Sequence, residues 1–310
     1  MSETECKYFS GKFQKKYNNN SHNRNDIIGE HILYKCIFLI IFLILIIINK
    51  KNCVIFGCAV TSLVVAIDIY IKFKKDPIKI LYLVSALITK GVRTSPTLNP
   101  YEYFRGSLEF EDKHQDIKAE IMKMNHDNIP LTKTTFFGKN KFIGGDTRVE
   151  NGKEVGWRLF NVSVGSYISS NARKLCPTLV KLVEKYDDQI QSCSISILPP
   201  RTKIPQHVGY YKGVLRYMLG VKIPKENENV YLCVNDDTIN WEEGKSVMFD
   251  DTFPHKVFNL TDEKRIVIYI DIIRPLGPIS NYLNRFVINL AQNNPLIIDE
   301  MKKTEKLVNI

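Results

Sequence analysis

Ser194-Ile195-Ser196-Ile197-Leu198-Pro199-Pro200 is the stretch on which the fold turns. Small polar and apolar residues alternate, the period-2 pattern of a strand with one face buried. Pro199-Pro200 ends it, because proline has no N–H for a ladder and holds its predecessor extended. Outward from there, residues 214–221, 230–234, 246–249, 256–258 and 266–272 read as further short strands. Turn signals stand between them at Gly213, Pro224, Asn235-Asp236-Asp237 and Gly244. Many short strands with this punctuation predict a mainly β domain, a sandwich or jelly roll.

Two histidines flank this β-rich stretch. His207-Val208-Gly209 follows the first strand, Asp250-Asp251-Thr252-Phe253-Pro254-His255 carries the second histidine, and Arg265 comes soon after. One histidine in a strand is ordinarily a structural residue. Two imidazoles brought together by a strand-rich core suit Fe(II), and an arginine on a following strand can clamp a dicarboxylate beside it. A metal that must also take O2 and a keto acid keeps several positions open, so two or three protein ligands on one face suffice. The pattern predicts a non-haem iron oxygenase. Asp250 and Asp251 have two readings, a carboxylate for the metal or, as expected for a turn before a strand, backbone hydrogen bonding. Arg216 lies between apolar neighbours on a strand, where a buried guanidinium wants a carboxylate. Trp241 reads as a core or rim aromatic, and Trp157, Tyr210 and Tyr211 as candidates for the pocket wall.

The motifs of residues 196–275 are Pro205-Gln206-His207-Val208-Gly209, Leu215-Arg216-Tyr217-Met218-Leu219-Gly220-Val221, Trp241-Glu242-Glu243-Gly244, Val247-Met248-Phe249-Asp250-Asp251, His255 and Asp271-Ile272-Ile273-Arg274-Pro275. In order and spacing they resemble the aspartyl/asparaginyl β-hydroxylase family of Fe(II)/2-oxoglutarate dioxygenases. A weaker similarity runs upstream through Gly156-Trp157-Arg158-Leu159-Phe160 and Cys176-Pro177-Thr178. The resemblance implies a double-stranded β-helix (jelly roll, cupin-like) with flanking helices, using Fe(II), 2-oxoglutarate as cosubstrate and O2. It implies that His207 and His255 bind the iron and act in catalysis. Arg265 with Ser196 would hold the distal carboxylate of 2-oxoglutarate, and Arg216 would sit near the carboxylate at the keto end. Gly209 stands where most 2-oxoglutarate oxygenases place a carboxylate, a gap much of this family shares and water fills. Met218 stands where the family pattern has a histidine contacting the cosubstrate; a thioether is a weak acceptor and supplies no N–H.

Three functions follow from the resemblance. The first is hydroxylation of the β-carbon of Asp or Asn side chains in a protein. The second is hydroxylation of an acyl chain of a membrane lipid, since the family contains lipid A 2-hydroxylases and residues 211–217 resemble that branch equally well. The third, motivated by Met218, is a membrane-tethered binding protein with a decayed site.

The front of the chain adds a membrane expectation. Residues 36–48 form an unbroken apolar run, Asn49-Lys50-Lys51-Asn52 interrupts it, and residues 53–71 are apolar again except for Asp68. The second run is long enough to span a bilayer, and the first reaches that length if Ile32 to Tyr34 join it and Lys35 snorkels. A transmembrane helical hairpin over 31–71 is expected, and the polar residues ahead of it argue against a cleaved signal peptide. Residues 78–88 form a shorter apolar stretch suited to a membrane surface. Residues 1–105 carry 15 Lys+Arg against 7 Asp+Glu, most of the formal net charge of +10. That excess flanks the apolar runs, which favours a cytosolic face for the catalytic part and makes basicity a membrane address, with no nucleic-acid partner.

The seven cysteines are scattered without a C-x-x-C pair, as in a reducing compartment, and suggest no disulfide framework. Asn161-Val162-Ser163 and Asn259-Leu260-Thr261 match glycosylation acceptors, a common chance pattern. The expected organisation is a disordered basic tail (1–30), the membrane segment (31–71), a juxtamembrane connector (72–105), the catalytic domain (106–278) and a helical extension (279–310). Within these, helices are expected over 112–124 and 176–186. A third, over 281–290, would dock on the barrel or return to the membrane.

Overall fold

The alternating stretch around Ser196 is the second half of a nine-residue strand, Ile190–Leu198. Its two faces meet two different cores, and the rest of the architecture follows from that division. The computed structural model describes residues 94–132, 146–209 and 211–292, shorter stretches at 84–89, 135–137 and 140–142, and a few isolated positions. The strands are β1 (Thr97–Leu98), β2 (Thr135–Phe137), β3 (Asn140–Phe142), β4 (Arg148–Glu150), β5 (Lys153–Val155), β6 (Arg158–Val164), β7 (Tyr167–Ile168) and β8 (Ile190–Leu198). They continue as β9 (Thr202–His207), β10 (Val214–Lys222), β11 (Val230–Val234), β12 (Asp237–Asn240), β13 (Ser246–Phe249), β14 (His255–Asn259) and β15 (Arg265–Ile273). The helices are α1 (Pro100–Tyr103), α2 (Ser107–Asp112), α3 (His114–Met122), α4 (Ser170–Leu175), α5 (Pro177–Lys185) and α6 (Pro278–Gln292).

A seven-stranded sheet runs β1-β13-β10-β15-β8-β6-β7 and a four-stranded sheet runs β12-β11-β14-β9, with β2-β3 and β4-β5 as separate hairpins. The chain passes back and forth between the two larger sheets, with β8, β10, β13 and β15 in one and β9, β11, β12 and β14 in the other. That alternation of antiparallel strands is a jelly roll, as the sequence predicts. Leu198, Met218, Phe249 and Val267 of the large sheet pack with Ile204, Leu232, Val234 and Val257 of the small one, so the sheets face each other across an apolar layer. The opposite face of the large sheet, through Ile195, Ile197, Leu215, Tyr217, Ile268 and Ile270, packs against Phe110, Ile117, Ile121, Leu179 and Val183 of the helices.

The helices are placed by local chemistry. Asn99 caps α1 through its side chain, accepting from the Tyr101 N–H, and Ser169 caps α4 in the same way. Pro177 opens α5, and the carboxylate of Glu120 on α3 accepts the Thr178 N–H at 3.0 Å, serving as that helix's cap from a neighbour. The expected helix over 112–124 is found as α3, and a further short helix, α2, precedes it across Lys113. There His114 turns inward, buried, with Nε2 3.1 Å from the Val221 carbonyl. The sheet also extends upstream of residue 106, since β1 pairs Thr97 with Phe249 of β13. Near the C-terminus the carboxylate of Glu305 accepts from Tyr167 Oη at 2.6 Å, from Ser170 Oγ and from the Asn171 N–H at 3.1 Å, clasping the start of α4.

Apart from Ser62 and Val64, the expected membrane segment lies outside the described residues, as do the basic tail and Tyr210. Among the described residues no helix is long and apolar enough to cross a membrane. Of the stretch 78–88, residues 84–88 are helical, with Ile88 buried and Leu87 exposed. Cys176 and Cys193 are buried free thiols, but Cys233 is disulfide-bonded, which departs from the cysteine use expected of a reducing compartment. Neither glycosylation match is a plausible acceptor. Asn259 is fully buried and its amide donates to three carbonyls, of Leu198, Pro199 and Glu263. Asn161 lies on the inner face of β6, accepting from Ser194 Oγ at 3.0 Å.

Candidate active site

The jelly roll sets His207 at the end of β9 directly opposite His255 at the start of β14. Their rings are 4.0 Å apart between centroids and tilted by 52°. Each Nδ1 lies against a carbonyl two residues back, Pro205 O at 2.8 Å for His207 and Phe253 O at 2.9 Å for His255. A carbonyl can only accept, so both Nδ1 atoms carry the proton and both Nε2 atoms present a lone pair. Burial pulls both imidazoles below their ordinary pKa, His255 most strongly, and Arg216 pushes in the same direction. The pair is therefore neutral, as metal ligation requires.

Gly209, two residues beyond His207, has a neighbour in place of a side chain. Its N–H donates to the Asp251 carbonyl at 2.7 Å, and a Cβ there would meet Asp251 Oδ1 at 2.3 Å. Asp251 is buried and is held by Arg216, whose Nη2 donates to Oδ2 at 2.6 Å. Desolvation lifts its carboxyl to about 6 against the pull of Arg216. Its Oδ1 is buried and has no hydrogen-bond partner. Among the described residues no three His, Cys, Asp or Glu side chains form a metal-holding group. Asp250 has the expected turn role. Its Oδ1 accepts from the Thr252 N–H at 3.0 Å, and its Oδ2 accepts from Arg274 at 2.6 Å. Arg274 also donates to the Lys212 carbonyl at 2.5 Å, tying the turn before His255 to the loop after His207.

Arg216 proves to be engaged on three sides. Besides Asp251, its Nε lies 2.9 Å from Asp271 Oδ1, close enough for charge attraction without hydrogen-bond alignment, and its guanidinium stacks 3.8 Å over the Tyr269 ring. In the sequence Asp271 stands only as the start of the Asp271–Pro275 motif, with no role, and Tyr269 is not singled out at all. Both share the parity of Arg265 on β15, and that period-2 relation is the signal that would have found them.

Arg265 and Ser196 come together as expected. Arg265 is 1% exposed, yet its Nε and Nη1 have no partner, and Nη2 reaches only Ser196 Oγ at 3.4 Å. Its guanidinium lies 4.7 Å from the centroid of the buried Trp241 ring, and Trp157 Nε1 donates to Ser196 Oγ at 2.9 Å. Burial lowers the guanidinium to about 9. Met218 is buried in the layer between the sheets, in register with Val247 and Tyr269. Tyr211 points elsewhere, its hydroxyl donating to Asn284 Oδ1 of α6 at 2.6 Å.

Seven buried side-chain N and O atoms among the described residues lack a hydrogen-bond partner, and they belong to Gln206, Arg216, Trp241, Asp251, Arg265 and Asp271. Each adjoins a histidine or belongs to one of the two arginine clusters. An orphaned buried polar group costs about 1–3 kcal/mol, so this concentration marks a site built for polar ligands. The fit to a divalent metal and a dicarboxylate is direct: two neutral imidazoles held through Nδ1, and a buried guanidinium with two unused donors.

A family model described as Aspartyl/Asparaginyl beta-hydroxylase matches residues 111–275, a span that holds every one of these residues. The chain belongs to the aspartyl/asparaginyl beta-hydroxylase family. It is accordingly a hydroxylase. The chain is 31% identical to an ornithine lipid ester-linked acyl 2-hydroxylase of Rhizobium tropici, over 66% of this chain and 70% of that protein. It is 34% identical to the mouse aspartyl/asparaginyl beta-hydroxylase over 41% of this chain, which spans only 17% of the mouse protein. Among solved structures, a Pseudomonas putida prolyl-4-hydroxylase overlaps 62% of this chain and 99% of its own, at 11% identity and a TM-score of 0.35.

Proposed function

We propose that this hydroxylase depends on Fe(II) and 2-oxoglutarate and oxidises an aliphatic C–H bond. The observation that supports it most is the buried, unpaired Arg265 guanidinium on the sheet facing two neutral imidazoles. His207 and His255 would hold the iron through Nε2, their orientation set by the Pro205 and Phe253 carbonyls. Arg265 and Ser196 would take the distal carboxylate of 2-oxoglutarate, satisfying Nε and Nη1. Arg216 is held by Asp251 and Asp271, and from there it would sit beside the carboxylate at the keto end. The Asp251 carboxylate, which fills the space beside Gly209, would face the site with its unpartnered Oδ1. Met218 would line the cosubstrate pocket without donating to it. Iron, 2-oxoglutarate and O2 together supply the oxidation, giving succinate and CO2 as C–H becomes C–OH. The protein's part is to orient the C–H and exclude water, for which the apolar layer between the sheets is suited.

For the substrate, the leading reading is the β-carbon of an Asp or Asn side chain in a protein, from the family description. A second reading, the acyl chain of a membrane lipid, is favoured by how much more of this chain the Rhizobium lipid enzyme matches than the mouse enzyme does. Either would act from a membrane tether supplied by residues 31–71, with the catalytic domain on the cytosolic face that the basic flanks favour. The test is succinate formation by the full chain, loaded anaerobically with Fe(II) and given 2-oxoglutarate and O2, against the His207→Ala/His255→Ala double variant. Acidic peptides and lipid vesicles are then added in separate arms to see which raises turnover. Absence of both succinate and Fe(II)/2-oxoglutarate binding would favour the decayed-site reading.

A further inference from the structure

Helix α6 is turned inside out. Ile279, Tyr282, Leu283, Phe286 and Leu290 recur at helical spacing on one face, and they are 80%, 73%, 44%, 54% and 61% exposed. The side that meets the protein presents Asn284 and Ile288. Asn284 is fully buried, its Nδ2 donating to the Gly213 carbonyl at 2.8 Å and its Oδ1 accepting from Tyr211 Oη. A helix that docks on its own domain puts its apolar stripe inward; this one is fixed by a polar anchor and leaves five large apolar side chains outside.

The loop that receives Asn284 also receives the chain arriving from the apolar runs. Ser85 Oγ accepts the Lys212 N–H at 3.0 Å, and beside it Leu87 is 63% exposed. Residues 53–71, long and apolar enough in sequence to cross a bilayer, end shortly before Ser85. Ser85, fourteen residues beyond the second run in sequence, and the inverted helix are thus fastened to one loop, residues 211–213, which follows His207. Helix α6 carries no acidic residue, and its one charge is Arg285. Neighbouring Lys212 adds a second cation on the loop.

We infer that the outward stripe of α6 seats in the interface of the lipid bilayer that residues 53–71 enter, holding the loop after His207 at the lipid surface. The anchor is the membrane tether of the proposed function. Use of the seating to bring an acyl chain to the site rests on the lipid reading given there, whereas the seating itself requires no cofactor.

The experiment uses the full chain reconstituted in phosphatidylcholine/phosphatidylglycerol vesicles with brominated or plain acyl chains, without iron or 2-oxoglutarate. Emission of Phe286→Trp and of Arg285→Trp, which projects off the stripe, is corrected for the native Trp157 and Trp241. A side chain seated about 5–10 Å into the interface should lose roughly half its emission to bromine for Phe286→Trp and little for Arg285→Trp. Equal quenching of the two, or none, overturns the inference. Unquenched Phe286→Trp together with cross-links between Leu290→Cys copies would assign the stripe to a second chain instead. Because quenching is read without turnover, an inactive enzyme would leave this result standing.

Discussion

Asp251 occupies the space beside Gly209 into which any larger residue would project, with a Cβ there meeting its Cγ at 2.4 Å and its Oδ2 at 2.6 Å. Arg216 pins that carboxylate, so it cannot swing aside freely. Gly209→Ala should therefore destabilise the fold by about 1–3 kcal/mol, as overpacking does. Combining it with Asp251→Ala should restore part of the loss, a coupling that a double-mutant cycle in denaturant would read. Additive losses would mean that the two positions are independent.

His207→Ala and His255→Ala should each abolish metal-dependent turnover, by more than the about 10–100-fold that loss of an outer-shell partner typically costs. Fe(II) titration under anaerobic conditions checks the cause. Tight binding retained in either variant would overturn the assignment of the pair as ligands.

Arg265→Met should act in opposite directions on two measurements. With no ligand bound, removing an unpaired buried charge should raise the melting temperature, by about 2–4 °C per kcal/mol for a chain of this size. The upward shift that 2-oxoglutarate gives the native chain should vanish. A lower melting temperature without ligand would show that the guanidinium is satisfied within the protein.

Met218→His should restore a donor beside the cosubstrate. The 2-oxoglutarate concentration for half-maximal succinate formation should fall by about tenfold if one charge-assisted hydrogen bond is gained. An unchanged requirement would show that Met218 is not the weak point of the pocket.

Burial alone would raise Glu305, but hydrogen bonds from Ser170, Tyr167 and the Asn171 N–H outweigh it and bring the carboxyl to about 2. A carboxyl depressed in the folded state stabilises above its ordinary pKa, and that contribution is lost as pH falls toward the folded value. Glu305→Gln should thus melt below the native chain near neutrality, and the gap should narrow between about pH 5 and pH 3. A constant gap would assign the clasp to shape alone.

The strands were legible in the sequence because they follow period-2 patterning, and the two candidate histidines sit on them. The expected segment 214–221 and the observed Val214–Lys222 differ by one residue, and Ser246–Phe249 coincides. The two histidines follow from spacing and meet in register. What the sequence concealed depends on contacts between distant segments. The partnership of Gly209 with Asp251 joins two loops, and the inversion of α6 goes with the contact of Asn284 to Gly213. Local propensity carries no trace of such pairings, and the same apolar spacing in α6 serves an inward or an outward face equally.

The histidines belong to the small sheet, and Ser196 and Arg265 to the large one. On the proposed function the centre would therefore be assembled from two half-sites, with the hydrocarbon layer of Val257, Val267 and Met218 as the spacer between them. A methylene added to or removed from that layer changes more than stability. On the proposed function it would reset the reach from the metal to the anchored end of the cosubstrate, so packing residues that touch neither ligand would govern whether oxidant consumption stays tied to product.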